Sequence, residues 1–154
     1  MKTKDFLKNI WHAFCPPPVT AASLAQDAPL VIPSRYDFAA TVAAIETAIR
    51  DHGMTLFARI DHQAAAQAAG LDMQPATVLI YGKPAIGTLL MQNDPTLALQ
   101  LPLKVLITVI DGGVRVLLNR AEQVVARSNT PYSAVENTLA NAEKLIRATV
   151  AVQP

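Results

Sequence analysis

A single cysteine, 5% aromatic residues and only 16% charged ones are the scarcities of this 154-residue chain, and each narrows what it can be. With Cys15 alone, no disulfide can form within the chain, and a reducing compartment is weakly favoured. Few aromatics and a formal charge of +1, with acids and bases interleaved, leave neither a stacking platform nor a basic footprint for nucleic acid. No apolar run approaches the roughly 20 residues that a membrane-spanning helix needs, because Pro102 and Lys104 interrupt the longest candidate, Leu97 to Ile110. No membrane span is expected.

What is present is aliphatic, with 51% of residues hydrophobic. A chain of this length buries roughly two thirds of its unfolded surface in one core and needs no metal or disulfide to stay folded. The expected organisation is an extension over residues 1–28 followed by one domain over 29–154. In the extension Phe6, Leu7, Ile10, Trp11 and Phe14 form an apolar helical stripe opposite Lys4, Lys8 and His12, and Pro16, Pro17 and Pro18 end it. Three readings compete for this stripe. Packing on its own domain or on a neighbouring subunit is favoured, because an apolar stripe left in water costs free energy. The others are attachment to a membrane surface and a signal peptide, the latter a poor one because Asn9, His12 and the prolines break its apolar region. The leaning is therefore a cytoplasmic location, with secretion as its competitor. Cys15, without a histidine and acid nearby in sequence, reads as an incidental thiol.

The domain opens with Pro29 to Arg35, which its bounding prolines mark as an edge strand. Asp37 caps a helix with the buried stripe Phe38, Val42, Ile45 and Ile49 and the exposed pair Glu46 and Arg50; His52 caps its last turn and Gly53 stops it. Met54 to Ile60 is a strand, Asp61 opens an alanine-rich helix that Gly70 closes, and Thr77 to Tyr81 is the next strand. A short helix over Ile86 to Gln92 and a helical turn from Asp94-Pro95 to about Gln100 precede a hairpin, Leu103 to Ile110 and Val114 to Leu118, turned by Asp111-Gly112-Gly113. Both hairpin strands are apolar almost throughout, which predicts cover on both faces, by helices on one side and a second subunit on the other. Arg120 to Thr130 reads as a turn of helix plus loop. Ser133 and Glu136 form a capping box for a long terminal helix with the core face Val135, Leu139, Ala142, Ile146 and Val150.

Two places carry candidate chemistry. At Gly82-Lys83-Pro84-Ala85-Ile86-Gly87-Thr88 a strand passes through a glycine-proline loop into a helix. The phosphate-cradling loop needs lysine and then serine or threonine directly after its second glycine; Thr88 and Leu89 stand there instead, so the nucleotide motif fails. What survives is an anion site in which free loop N–H groups, Lys83 and Thr88 hold a carboxylate or phosphate. The plainer alternative is that the glycines and Pro84 only shape a turn. At Asp61-His62 an aspartate can orient an imidazole, but strand neighbours point to opposite faces, which favours Asp61 as a helix cap with His62 near the surface. His12, His52 and His62 show no metal-ligand spacing, and neither a cofactor nor a metal is expected within one subunit.

Taken in order, IDHQAAAQAAGL, the Gly82-x-Pro84-x-x-Gly87-Thr88 turn, Asp94-Pro95 and Leu101-Pro102-Leu103 resemble the domain of unknown function 302 family over about Val31 to Asn129. The resemblance implies an α+β two-layer sandwich, a curved, mainly antiparallel sheet with helices on one face, similar in topology to the TATA-binding protein fold and commonly paired into dimers. It implies no established activity. Lys83 stands where the family usually has asparagine, Gln100 where it usually has aspartate, and Leu118 to Ala121 lacks the aspartate-proline pair often found after the last strand.

Three functional readings follow. The leading one is a non-enzymatic homodimeric module that holds a small anionic or polar ligand at Gly82, Lys83, Pro84, Gly87 and Thr88, with Asp61 and His62 nearby. The second is a small-molecule enzyme with His62 as general acid or base, oriented by Asp61, and loop N–H groups steadying an oxyanion. The third is metal or haem binding across a dimer through two copies of His62.

Overall fold

Alternating strands and helices with one apolar stripe sort the chain into two layers. The computed structural model describes residues 27–152. The stripe from Phe6 to Phe14, Cys15 and the competing readings of the extension lie outside the described residues. Five strands, β1 (Leu30–Pro33), β2 (Thr55–Asp61), β3 (Ala76–Gly82), β4 (Leu103–Ile110) and β5 (Gly113–Leu118), form one antiparallel sheet in the order β1-β5-β4-β3-β2. β1 lies at an edge, where the proline that ends it removes no central ladder bond. The helices are α1 (Phe38–Asp51), α2 (His62–Ala68), α3 (Pro84–Asn93), α4 (Ala121–Val125) and α5 (Leu139–Val150), with 3-10 turns at Pro95–Leu99 and Tyr132–Ala134.

The termini of α1 follow the local signals. Asp37 Oδ1 accepts from the Ala40 N–H at 2.8 Å, His52 Nδ1 lies 2.9 Å from the Ala48 carbonyl, and Gly53 leaves the helix at φ 66°. Between β4 and β5, Asp111 and Gly112 both take positive φ, 50° and 72°, the handedness that a tight hairpin requires.

α1 and α5 cover one face of the sheet, where Ile45, Ile49 and Ile146 pack with Leu79, Val105 and Ile107. A second cluster, Leu97, Val124, Val125, Val135 and Leu139, lies beside it under α4 and the Pro95–Leu99 turn. Leu103 packs against both clusters. The seam between two clusters that interdigitate separately is where close packing breaks down.

The capping box expected at Ser133 and Glu136 does not form: Tyr132–Ala134 is a 3-10 turn, and α5 begins only at Leu139. Val135 is fully buried in the second cluster instead of extending the α5 stripe. Burying a valine is worth about 1.5–3 kcal/mol, against about 1 kcal/mol for a cap, so the cluster decides where the helix starts.

The sheet's other face is left open by the described residues along most of its length. Val31, Leu117, Leu106, Val78 and Ile60 are paired in register across all five strands and point away from the helices. The outer two, Val31 and Ile60, are 47% and 40% exposed, and the inner three are half-buried. Only toward one end is this face closed, where Thr108 donates its hydroxyl to the Pro75 carbonyl at 2.9 Å.

Candidate functional site

A cavity of about 580 Å³ opens along the seam between the two clusters. Met54 and Ala142 come to it from the first cluster, Met91, Leu101 and Leu139 from the second, and Leu103 from both. Two local features keep it open. β2 carries a bulge between Leu56 and Ala58, which frees Phe57 from the ladder, and its ring edge lies 3.6 Å from where a Cβ on Gly82 would stand. Gly87, inside α3, lacks the Cβ that would meet Met91 Cε and Leu101 Cδ1 at 3.9 and 4.0 Å.

The polar lining residues His52, Lys83, Thr88, Asn137 and Asn141 are exposed, and half-buried Thr138 donates its hydroxyl to the Val135 carbonyl at 3.3 Å. Lys83 is the one cation on the lining and no acidic residue shares it, among the described residues. Its ammonium lies 4.0 Å from the position a Cβ would take on Gly53 and has neither an ion-pair nor a hydrogen-bond partner among them. Gly53 turns the chain at positive φ beside the lysine head.

The loop residues singled out by sequence, Gly82, Lys83, Pro84, Gly87 and Thr88, all line this cavity. The expected cradle of free backbone N–H groups is not there. The Ile86 and Gly87 N–H groups donate to the Lys83 carbonyl at 3.0 and 2.9 Å and Pro84 has none, so the first turn of α3 leaves only the Ala85 N–H without a partner in this turn, among the described residues. Side chains, more than the loop backbone, are what an anion would meet.

Asp61 and His62 lie elsewhere. Thr55 pairs with Gly82 and Asp61 with Thr77, so the two candidate places are at opposite ends of β3, about 17 Å apart at ~3.3 Å per residue. Asp61 Oδ1 accepts from the Ala64 N–H at 2.9 Å as the cap of α2, and exposed His62 has no hydrogen-bond partner among the described residues. His52, by contrast, read from sequence only as a cap, stands on the cavity lining. Phe57, Asn137 and Asn141 had no sequence signal, because a bulge and the seam between clusters are products of packing.

Behind Leu103 and Leu139, which line both spaces, lies a polar chamber of about 30 Å³ between Tyr81 and Glu143. Tyr81 is 1% exposed, and burial, then the negative charge of Glu143, pushes its hydroxyl pKa well up. Glu143 also accepts from the Ala121 N–H at 3.3 Å.

An antiparallel five-stranded sheet with helices on one face and an apolar cavity at one end defines a two-layer α+β domain. The chain belongs to the family described as Domain of unknown function DUF302, whose profile matches residues 30–151. Its fold is similar to that of the crystal structure of uncharacterized conserved protein DUF302 from Bacillus stearothermophilus, with a TM-score of 0.68 and 17% identity over 79% of this chain and 94% of that one. In sequence it is 35% identical over 106 residues to Fluoride-specific ion channel FluC 1 of Brucella suis biovar 1 (strain 1330), covering 69% of this chain and 40% of that protein. The match to Fluoride-specific ion channel FluC 2 of Brucella melitensis biotype 1 is also 35% over 106 residues, 38% of that protein. The chain thus spans about two fifths of the length of these curated relatives. No helix among the described residues is long and apolar enough to cross a membrane.

Proposed function

We propose that the chain is a homodimeric binding module that takes a small molecule into the cavity beside Gly82 to Thr88, with an anionic or polar group of that molecule at Lys83 and Thr88. The observation that carries this reading is the cavity: about 580 Å³, apolar walls, and, among the described residues, one unpartnered cation among its exposed polar groups. Small-molecule sites are typically concave and mostly apolar, ~300–1,000 Å³ in volume, with a few placed polar groups. An enzyme built on His62 has thinner support, since Asp61 is engaged as a cap and the imidazole, at the far end of β3, has no hydrogen-bond partner among the described residues. Self-association is supported by the aliphatic row on the uncovered sheet face.

The test is a thermal-shift screen of small anions and polar metabolites on the wild-type chain, Lys83→Ala and His62→Ala. Hits lost in Lys83→Ala and kept in His62→Ala support the reading. Hits kept in Lys83→Ala place the ligand elsewhere.

A second reading rests on the match to the fluoride-specific channels. The shared segment is under half of those proteins, and here it folds without a membrane-spanning helix among the described residues. That suits an accessory domain working beside a fluoride-handling membrane protein. Sodium fluoride in the same screen, with sodium chloride as control, tests it: a fluoride-specific shift that Lys83→Ala removes favours this reading, and equal responses to both salts count against it.

A further inference from the structure

We infer that the ligand of the cavity is a single-tailed amphipathic carboxylate, its alkyl chain along the seam and its head at Lys83. This rests on the proposed binding role of the cavity and names the chemical class it selects.

The walls choose the tail. Phe57, Met54, Met91, Leu101, Leu103 and Leu145 give a continuous apolar lining, and the two methionines can follow a flexible chain by rotamer change. A small polar ion would leave these walls to water. The charges choose the head. Lys83 is the lining's one cation, and with no acid on the lining a cationic head would meet repulsion and no partner.

The donors then choose the valence. A phosphate dianion calls for several converging donors, but the Ile86 and Gly87 N–H groups already bond to the Lys83 carbonyl. With Asn141 Nδ2 already donating to the Asn137 carbonyl at 2.8 Å, one ammonium and the Thr88 hydroxyl match a monoanion.

The experiment is calorimetric titration of the full chain with sodium carboxylates from acetate to dodecanoate, each below its micellar concentration. Dodecanol, dodecyltrimethylammonium and inorganic phosphate are the comparison probes. Affinity is expected to rise about fourfold for each added methylene, the ordinary gain for burying one. Dodecanoate should bind more tightly than dodecanol and much more tightly than dodecyltrimethylammonium. Lys83→Ala should weaken dodecanoate about fivefold, the scale of an exposed charge pair, and leave dodecanol unchanged. Gly87→Leu fills the cavity and should abolish binding of every long-chain probe; it replaces a glycine within a helix, so folding is favoured, and circular dichroism checks that.

The outcomes separate the two levels. If acetate or phosphate binds as tightly as dodecanoate, or dodecyltrimethylammonium does, and Gly87→Leu still blocks, the ligand class is wrong while the cavity remains the site. If no probe binds, or Gly87→Leu changes nothing, the cavity reading fails and the inference with it.

Discussion

Asp94 ties together two stretches more than thirty residues apart with one short side chain. It is 5% exposed; Oδ1 accepts from the Thr96 hydroxyl at 2.6 Å and N–H at 3.1 Å, and Oδ2 accepts from the Asn129 N–H at 2.7 Å and the Thr130 hydroxyl at 3.2 Å. These donors, led by the Thr96 hydroxyl, hold its pKa below the ordinary carboxylate value. A depressed folded-state pKa contributes stability that is fully present above the unfolded carboxyl's pKa, about 3.9, and is lost as the pH falls through the folded value. Asp94→Asn should therefore melt lower at neutral pH, because its amide turns a donor toward one of the two donor pairs, and should lose part of the wild type's acid dependence. Melting curves from pH 7 to pH 3 check this; an acid limb identical in both proteins would remove Asp94 as its source. Sequence made half of this legible. Asp94-Pro95 is a local cap signal, whereas the bonds to Asn129 and Thr130 depend on how the second cluster folds back.

Elements whose ends are set by their own residues were readable in advance, and two glycines on either side of the cavity show the difference in physical terms. Gly53 sits at φ 66°, so Gly53→Ala should cost about 1 kcal/mol, a fall in Tm of about 2–4 °C for a chain of this length. Gly87 is within α3, and a Cβ there meets its neighbours at ordinary contact distance, so Gly87→Ala should raise stability by about 0.5–1 kcal/mol. Thermal melts of the two variants should move in opposite directions; a stabilised Gly53→Ala would contradict the left-handed geometry. The hairpin, α1 and the α2 cap were legible for the same reason, each resting on turn or cap chemistry within a few residues. Ser133-Glu136 carries an equally good local signal, yet Val135 is drawn into a cluster that no local pattern announces. The bulge at Phe57 escaped for a like reason: an extra residue in β2 is defined only against its partner β3.

At the scale of the whole molecule the proposed binding and self-association use different parts of the sheet. The cavity lies at one end of the sheet, lined from the helix side by Leu103 and Ala142 and beside Gly82 by Phe57 and Pro102, while the row from Val31 to Ile60 crosses the face turned away from the helices. Five strands at ~4.8 Å spacing make that row about 19 Å wide, suited to stacking on a second copy with sheets ~10 Å apart. Leu106 is on β4, the middle strand, so in a two-fold pair Leu106→Lys would bring two ammonium groups into the dry centre of the interface, while Val105 and Ile107 on the helix side stay untouched. Light scattering at micromolar concentration should give twice the 16.5 kDa chain mass for the wild type and the single mass for Leu106→Lys, with unchanged circular dichroism. A monomeric wild type would end the homodimer reading. Because Leu106 is not on the cavity lining, the monomeric variant should still bind the ligand that the dimer binds; a variant that loses both together would show instead that the partner copy completes the site.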